Sequence, residues 1–160
     1  GAISASDFAF RVGNSDEVDT WVAGPAPSSI TVRPGAGAGG SDRVTLVWPE
    51  GVMRNTWLQV QVRATAATGL AEADVFYFGN AIGETGDSAS DAVVSAIDLL
   101  MTRSNHRSFL DPAPLGFAYD VNRDGRVNAF DMLIARGHMS DQLTALELIA
   151  PTGVKKLAGA

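Results

Sequence analysis

Residues 120–131 read Asp-Val-Asn-Arg-Asp-Gly-Arg-Val-Asn-Ala-Phe-Asp. Calcium is a hard cation that takes about six to eight oxygen ligands at roughly 2.3–2.6 Å. Asp120, Asn122 and Asp124, at positions 1, 3 and 5 of the twelve, offer short side-chain oxygens. Gly125 at position 6 permits a sharp turn, and Arg126 at position 7 can give its backbone carbonyl while its side chain points away. Asn128 at position 9 can bind directly or through water, and Asp131 at position 12 closes the shell from the start of a helix. Val127 at position 8 is the apolar residue expected to be buried between two paired loops. A polar helix start capped by Asp or Asn is the plainer alternative. The full spacing with Gly at position 6 favours the calcium cage.

The span has a copy at an offset of 33 residues, without a gap, in residues 87–98. Asp87, Asp91 and Asp98 keep positions 1, 5 and 12 there, Val93 offers the position-7 carbonyl, and Ser95 stands at position 9. Ala89 brings no ligand to position 3, although Ser88 is adjacent. Ala92 replaces the glycine, where a left-handed backbone would cost about 1 kcal/mol. This copy is a weaker cage, or a degenerate loop kept for pairing. A rival register over residues 80–91 puts Ile82 at position 3 and loses the match to the following helix. Two calcium sites are therefore expected, the second more secure than the first.

Helices must follow both loops. Residues 91–103 place Val93, Val94, Ile97, Leu100 and Met101 on one apolar face. Residues 130–136 and 143–149 are further helical candidates, and Asp111-Pro112-Ala113-Pro114 separates the helices. The first eighty residues follow a different pattern. Short β-rich runs at 8–12, 30–33, 44–48, 57–63 and 74–78 alternate with Gly/Pro/Ser turns. They predict an all-β antiparallel sandwich, immunoglobulin-like, followed by an all-α part. The expected organisation is a β-sandwich over 1–79, a hinge over 80–86, a calcium-loop module over 87–150 and a tail over 151–160.

The segments entering both loops are rich in helix breakers, so each loop has only an exiting helix. Two such loop–helix units about thirty residues apart, with Asp at position 12 and Val at position 8 of the second, resemble a type I dockerin. The tract from Asp74 through Gly86, followed by this pair, also resembles the C-terminal portion of large secreted proteins of planctomycete-type bacteria. The dockerin resemblance implies a cohesin-like partner and a tethering role outside the cell or at its surface. It places the partner-facing residues at Ala96, Ile97 and Arg103 in the first copy and Ala129, Phe130 and Arg136 in the second. Either helix could then serve as the docking face. The alternative for Ile97 and Phe130 is a place in the core.

Composition narrows the remaining classes. The chain has 160 residues, a formal net charge of −6 and only two lysines, which argues against nucleic acid as the main partner. It has no cysteine, so disulfides, thiol catalysis and zinc–thiolate sites are excluded. No apolar run is long enough to span a membrane. His106 and His138 lack the spacing of a zinc-helix motif, and residues 35–40 lack the ending of a phosphate loop. Catalysis is not expected. Trp21, Trp48, Trp57, Tyr77 and Phe78 leave open a carbohydrate-binding β-half, or a piece of a polysaccharide-active enzyme, against the plainer reading that the tryptophans fill a core. The start at Gly1-Ala2, without Met, reads as a mature or excised chain.

Overall fold

The computed structural model describes residues 2–150; the expected tail over 151–160 lies outside them. The chain divides into two compact units. The first runs to Met53 and includes Trp57–Phe78; the second comprises Arg54–Thr56 and Gly79–Ala150.

The β part consists of β1 (Phe8–Gly13), β2 (Val22–Ala23), β3 (Ser29–Arg33), β4 (Arg43–Val47), β5 (Thr56–Val62) and β6 (Asp74–Asn80). One sheet has the order β2-β1-β5-β6, and β3 and β4 form a second. β1 runs antiparallel to both β2 and β5, with Phe10 opposite Val60, and β3 is antiparallel to β4, with Ile30 opposite Leu46. Alternation in β5 explains the packing. Leu58 and Val60 join Phe8 in a buried cluster, against which Phe10, Ile30, Val44, Leu46 and Trp48 pack. The intervening Gln59 donates its side-chain amide to the Tyr77 hydroxyl at 2.9 Å. Two strands do not cover four: Phe76 and Phe78 of β6 remain exposed, at the edge of an apolar groove shared with Val44 and Leu46.

Trp21 is buried against Gly13, where any side chain would collide with the indole ring. Trp48 meets Phe10 edge-on and donates its indole N–H to the Pro25 carbonyl at 2.9 Å. The strand β2 has only two residues, too few for periodicity to reveal. The glycine-rich segment closes on itself, Gly37 N–H donating to the Ser41 carbonyl at 2.7 Å.

Asp7 ties the start of β1 to the turn after β5. Its carboxylate accepts from the Thr65 hydroxyl at 2.7 Å and from the Ser4 amide at 2.8 Å. These bonds, the threonine's first, hold it below the usual carboxylate range. A depressed folded-state pKa gives stability that is present above the unfolded value and lost as pH falls through the folded one. Asp7→Asn is therefore expected to lower the melting temperature at neutral pH, with a gap to the parent that closes in acid. Tryptophan-fluorescence melts across that range check this; a gap independent of pH would refute it.

The second unit holds α1 (Ala96–Ser104) and α2 (Ala129–Gly137). Ser95 and Asn128 cap them, each side chain accepting an amide two residues on, while Asp98 and Asp131 reach back to the cap amides. Three expectations change here. The first helix begins at Ala96 rather than Asp91, because the Ser95 cap sets its start. Its buried side chains are Asp98 and Thr102, whereas Ile97, Leu100 and Met101 face solvent. No helix forms over 143–149: one turn closes, with Ala145 N–H donating to the Asp141 carbonyl, and Leu146 then bridges to Ala92. The segment 80–86 belongs to the second unit, with Gly83 and Thr85 buried.

Val94 and Val127, at position 8 of the two loops, are both fully buried, and each makes its backbone pairs outside the loops. Val127 exchanges two backbone hydrogen bonds with Arg107, which follows α1. The Val94 carbonyl accepts from the Ser140 amide, which follows α2. Arg107 and Ser140 are themselves 33 residues apart. Each loop is thus latched by the segment beyond the other repeat's helix.

Candidate metal centre

The second loop is wound around its own carboxylates. Asp120, 4% exposed, accepts from the Asp124 amide at 3.1 Å and the Gly125 amide at 2.9 Å, one on each oxygen. The Asn122 side-chain oxygen also accepts from the Asp124 amide at 3.1 Å, and Asp124 accepts from the Arg126 amide at 2.9 Å. Gly125 has φ +81°, the turn for which glycine was expected, and Arg123 has φ +60°. Asp131 is fully buried and accepts from Val121 N–H at 2.9 Å on one oxygen and from Asn128 N–H at 2.9 Å on the other. One carboxylate therefore both closes the loop and caps α2. The Asn128 oxygen accepts from the Phe130 amide at 2.8 Å.

The first loop departs from the ungapped repeat. Asp98, fully buried, accepts from the Thr85 amide and hydroxyl, both at 2.9 Å, on one oxygen and from the Ser95 amide at 2.7 Å on the other. Thr85 thus plays the part that Val121 plays in the second loop, but it lies 13 residues before its aspartate rather than 10. The residue in front of it, Glu84, then stands where Asp120 stands. One carboxylate oxygen from each of Glu84, Asp87 and Asp98 lies within 4.8 Å of the others. Asp91 is not one of that group of three; it accepts from the Val93 amide at 3.2 Å and the Ser88 hydroxyl at 3.0 Å. Ser95 serves as the cap of α1, its hydroxyl accepting from the Ile97 amide at 3.0 Å.

Sequence reasoning missed Glu84 because the helices align without a gap and the loops do not. A signal was present: Ala92 is a poor substitute for Gly125, and the left-handed turns of this segment occur at Gly83 and Gly86. Burial, and then the charges of Asp98 and Asp87, push Glu84 above the usual carboxylate range, despite a hydrogen bond from Gly86 N–H at 2.7 Å. Burial, then Asp98 and Asp91, do the same for Asp87. Among the described residues no arginine pairs with Asp98, Asp120 or Asp131. Buried carboxylates without a cationic partner are costly, and a donor set made only of oxygens suits a hard divalent ion. The residues present fit calcium.

The side chains assigned to a partner are not in the core. Ile97 is 57% and Phe130 67% exposed; Leu100 and Leu133, one turn on, are exposed as well. Ala96, Arg103, Ala129 and Arg136 are also at the surface.

Residues 85–139 match the family model of the dockerin type I domain. The C-terminal part of the chain therefore carries a type I dockerin-like module, the class of a non-catalytic, calcium-dependent protein–protein interaction domain. No curated protein and no solved structure matches the chain. Among the described residues no helix is long and apolar enough to cross a membrane.

Proposed function

We propose that the second unit is a calcium-organised adhesion module that docks a cohesin-like partner and so tethers a larger protein outside the cell or at its surface. The observation behind this reading is the pairing, in each repeat, of a buried aspartate lacking a cationic partner with an exposed apolar helix face. In this reading the second ion is held by Asp120, Asn122, Asp124, the Arg126 carbonyl, Asn128 and Asp131. The first is held by Glu84, Asp87 and Asp98, with Asp91 outside the set. The ion would neutralise the clustered carboxylates. The chain's own groups do the positioning: Asp98 and Asp131 fix the first turns of α1 and α2, and thereby the faces that carry Ile97 and Phe130. The β part is read as an immunoglobulin-like sandwich acting as a spacer. Trp21 is buried and Trp48 packs edge-on, so neither supports a sugar-stacking platform.

Binding of a cohesin-type module, measured by calorimetry with calcium and with chelator, tests the reading. The variants Ile97→Asp and Phe130→Asp are each expected to weaken binding modestly, since either face can serve. The double variant should lose about 2 kcal/mol or more, roughly thirtyfold, as a buried hot spot would. An unchanged double variant, or binding indifferent to chelator, would overturn it.

A further inference from the structure

The four-stranded sheet of the first unit ends differently at its two edges, β2 and β6. β2 is two residues long and runs into Gly24 and Pro25; short strands and prolines are common ways to blunt an edge. β6 is seven residues long and has neither lysine nor proline, and its one charge, Asp74, stands at its start. The Val75 N–H donates to the Asp74 carboxylate at 2.9 Å, as befits an N–H that points away from β5. Alternation then turns the backbone groups of Val75, Tyr77 and Gly79 to the open edge. Among the described residues no backbone hydrogen bond joins them to anything outside their own sheet. Phe76 and Phe78, on the other parity, are 36% and 56% exposed and border an apolar groove of about 510 Å³.

We infer that β6 pairs edge to edge with β6 of a second copy of this chain, antiparallel about a two-fold axis at Tyr77. In that register the strand is its own complement. Tyr77 meets Tyr77 of the second copy and Val75 meets its Gly79, each pair exchanging N–H···O bonds through the groups that face outward. Phe76 falls opposite Phe78 of the copy, and Phe78 opposite Phe76, at the positions between those bonds where side chains approach most closely. Aromatic pairs placed there stabilise a sheet. Asp74 falls opposite Asn80, so no like charges face each other. An axis at Phe76 or Phe78 would instead set a phenylalanine against Asp74 or Asn80. One strand pair is a small interface beside the roughly 1,200–2,000 Å² of stable complexes, so the dimer is expected at high micromolar concentration. The inference does not rest on the adhesion reading; where that reading holds, each dimer carries two copies of the second unit.

Sedimentation of the full calcium-loaded chain, from about 10 µM to about 1 mM, tests the association. The weight-average mass should rise toward that of two chains and no further, because a two-fold contact closes on itself. Added salt should strengthen the rise by screening the repulsion between copies of net charge −6. Phe78→Lys, at an exposed side chain, should weaken association about tenfold. The register is read separately with cysteine, of which the chain has none. Chains carrying Phe76→Cys mixed with chains carrying Phe78→Cys should form a disulfide under mild oxidation, because those positions face each other with Cα atoms about 4.5 Å apart. Either variant alone holds its two thiols at a diagonal of roughly 7–8 Å, beyond a disulfide's usual reach. A mass that stays at one chain, growth past two chains, or association indifferent to Phe78→Lys would overturn the pairing. Equal cross-linking in mixed and single samples would overturn its register. A chain that stays monomeric while its groove takes up sodium dodecanoate would assign the groove to a small aliphatic ligand and not to a second copy. No cohesin-type partner enters these measurements, so failure of the adhesion reading leaves their outcome unaffected.

Discussion

Removal of divalent cations is expected to melt the second unit while the first persists. The two can be watched separately, because Trp21, Trp48 and Trp57 all belong to the first unit and both α-helices to the second. Chelation should therefore erase most of the helical circular dichroism and leave tryptophan emission nearly unchanged. An ion held at a hundred times its dissociation constant stabilises by about 2.7 kcal/mol per site, which is a large share of what so small a module can have. Asp131→Ala should reproduce the loss in calcium-replete buffer. It removes the acceptor of Val121 N–H and Asn128 N–H and opens a hole at a fully buried position, which we place at about 3–5 kcal/mol. Helical signal that is indifferent to chelator, or a second unit that tolerates Asp131→Ala, would refute the metal centre. Acidity adds a signed test. Glu84 and Asp87 are pushed up in the folded chain, and a raised folded pKa gives stability that is full below the unfolded value and lost as pH rises through the folded one. Metal-free protein should therefore regain helix on mild acidification, just above the ordinary carboxylate range. Calcium-loaded protein should instead weaken there, as protons compete for its ligands.

What could be read in the sequence follows from what each pattern constrains. Leu58 and Val60 are legible as core because a strand with one buried face must alternate. The apolar stripe of α1 was misleading for the opposite reason. Periodicity says which residues share a face, not whether that face meets a core or a partner. Here the inward face carries Asp98, which satisfies loop amides, and the fully buried Thr102, and Ile97 and Leu100 are left outside. The 33-residue repeat places equivalent residues correctly from Val94 through α1, where caps and helix geometry allow no insertion. It fails upstream, because a loop that only has to return oxygens to a point can lengthen by three residues and still deliver the Thr85 amide to Asp98. The latching of each loop by the segment after the other helix involves backbone pairs that no side-chain pattern announces.

Gly83→Ala is expected to be the most damaging small substitution in the second unit. Gly83 has φ +91°, and a Cβ there would stand 2.7 Å from the Ala135 Cα, 3.0 Å from its Cβ and 3.4 Å from a Val94 methyl. The first contact is with backbone in the middle of α2, so no rotamer change relieves it. Left-handed backbone costs an alanine about 1–2 kcal/mol, and forced overpacking a further 1–3, so a loss of roughly 2–5 kcal/mol is expected. Gly116→Ala separates the two contributions. Its φ of +87° is similar, but nothing lies within 4 Å of its would-be Cβ, so only the conformational cost should appear. Chemical denaturation followed by helical dichroism should thus rank Gly83→Ala well below Gly116→Ala, with tryptophan emission of the first unit unchanged in both. Equal losses would mean that Gly83 does not sit against α2. The consequence reaches the metal centre through covalent geometry. Glu84 follows Gly83 directly, and the Thr85 amide that closes the first loop follows Glu84. Displacing Gly83 from Ala135 must therefore move both. Gly83→Ala should weaken calcium at the Glu84, Asp87 and Asp98 cluster before it touches the 120–131 loop, so that a two-step calcium titration loses the step belonging to the first site.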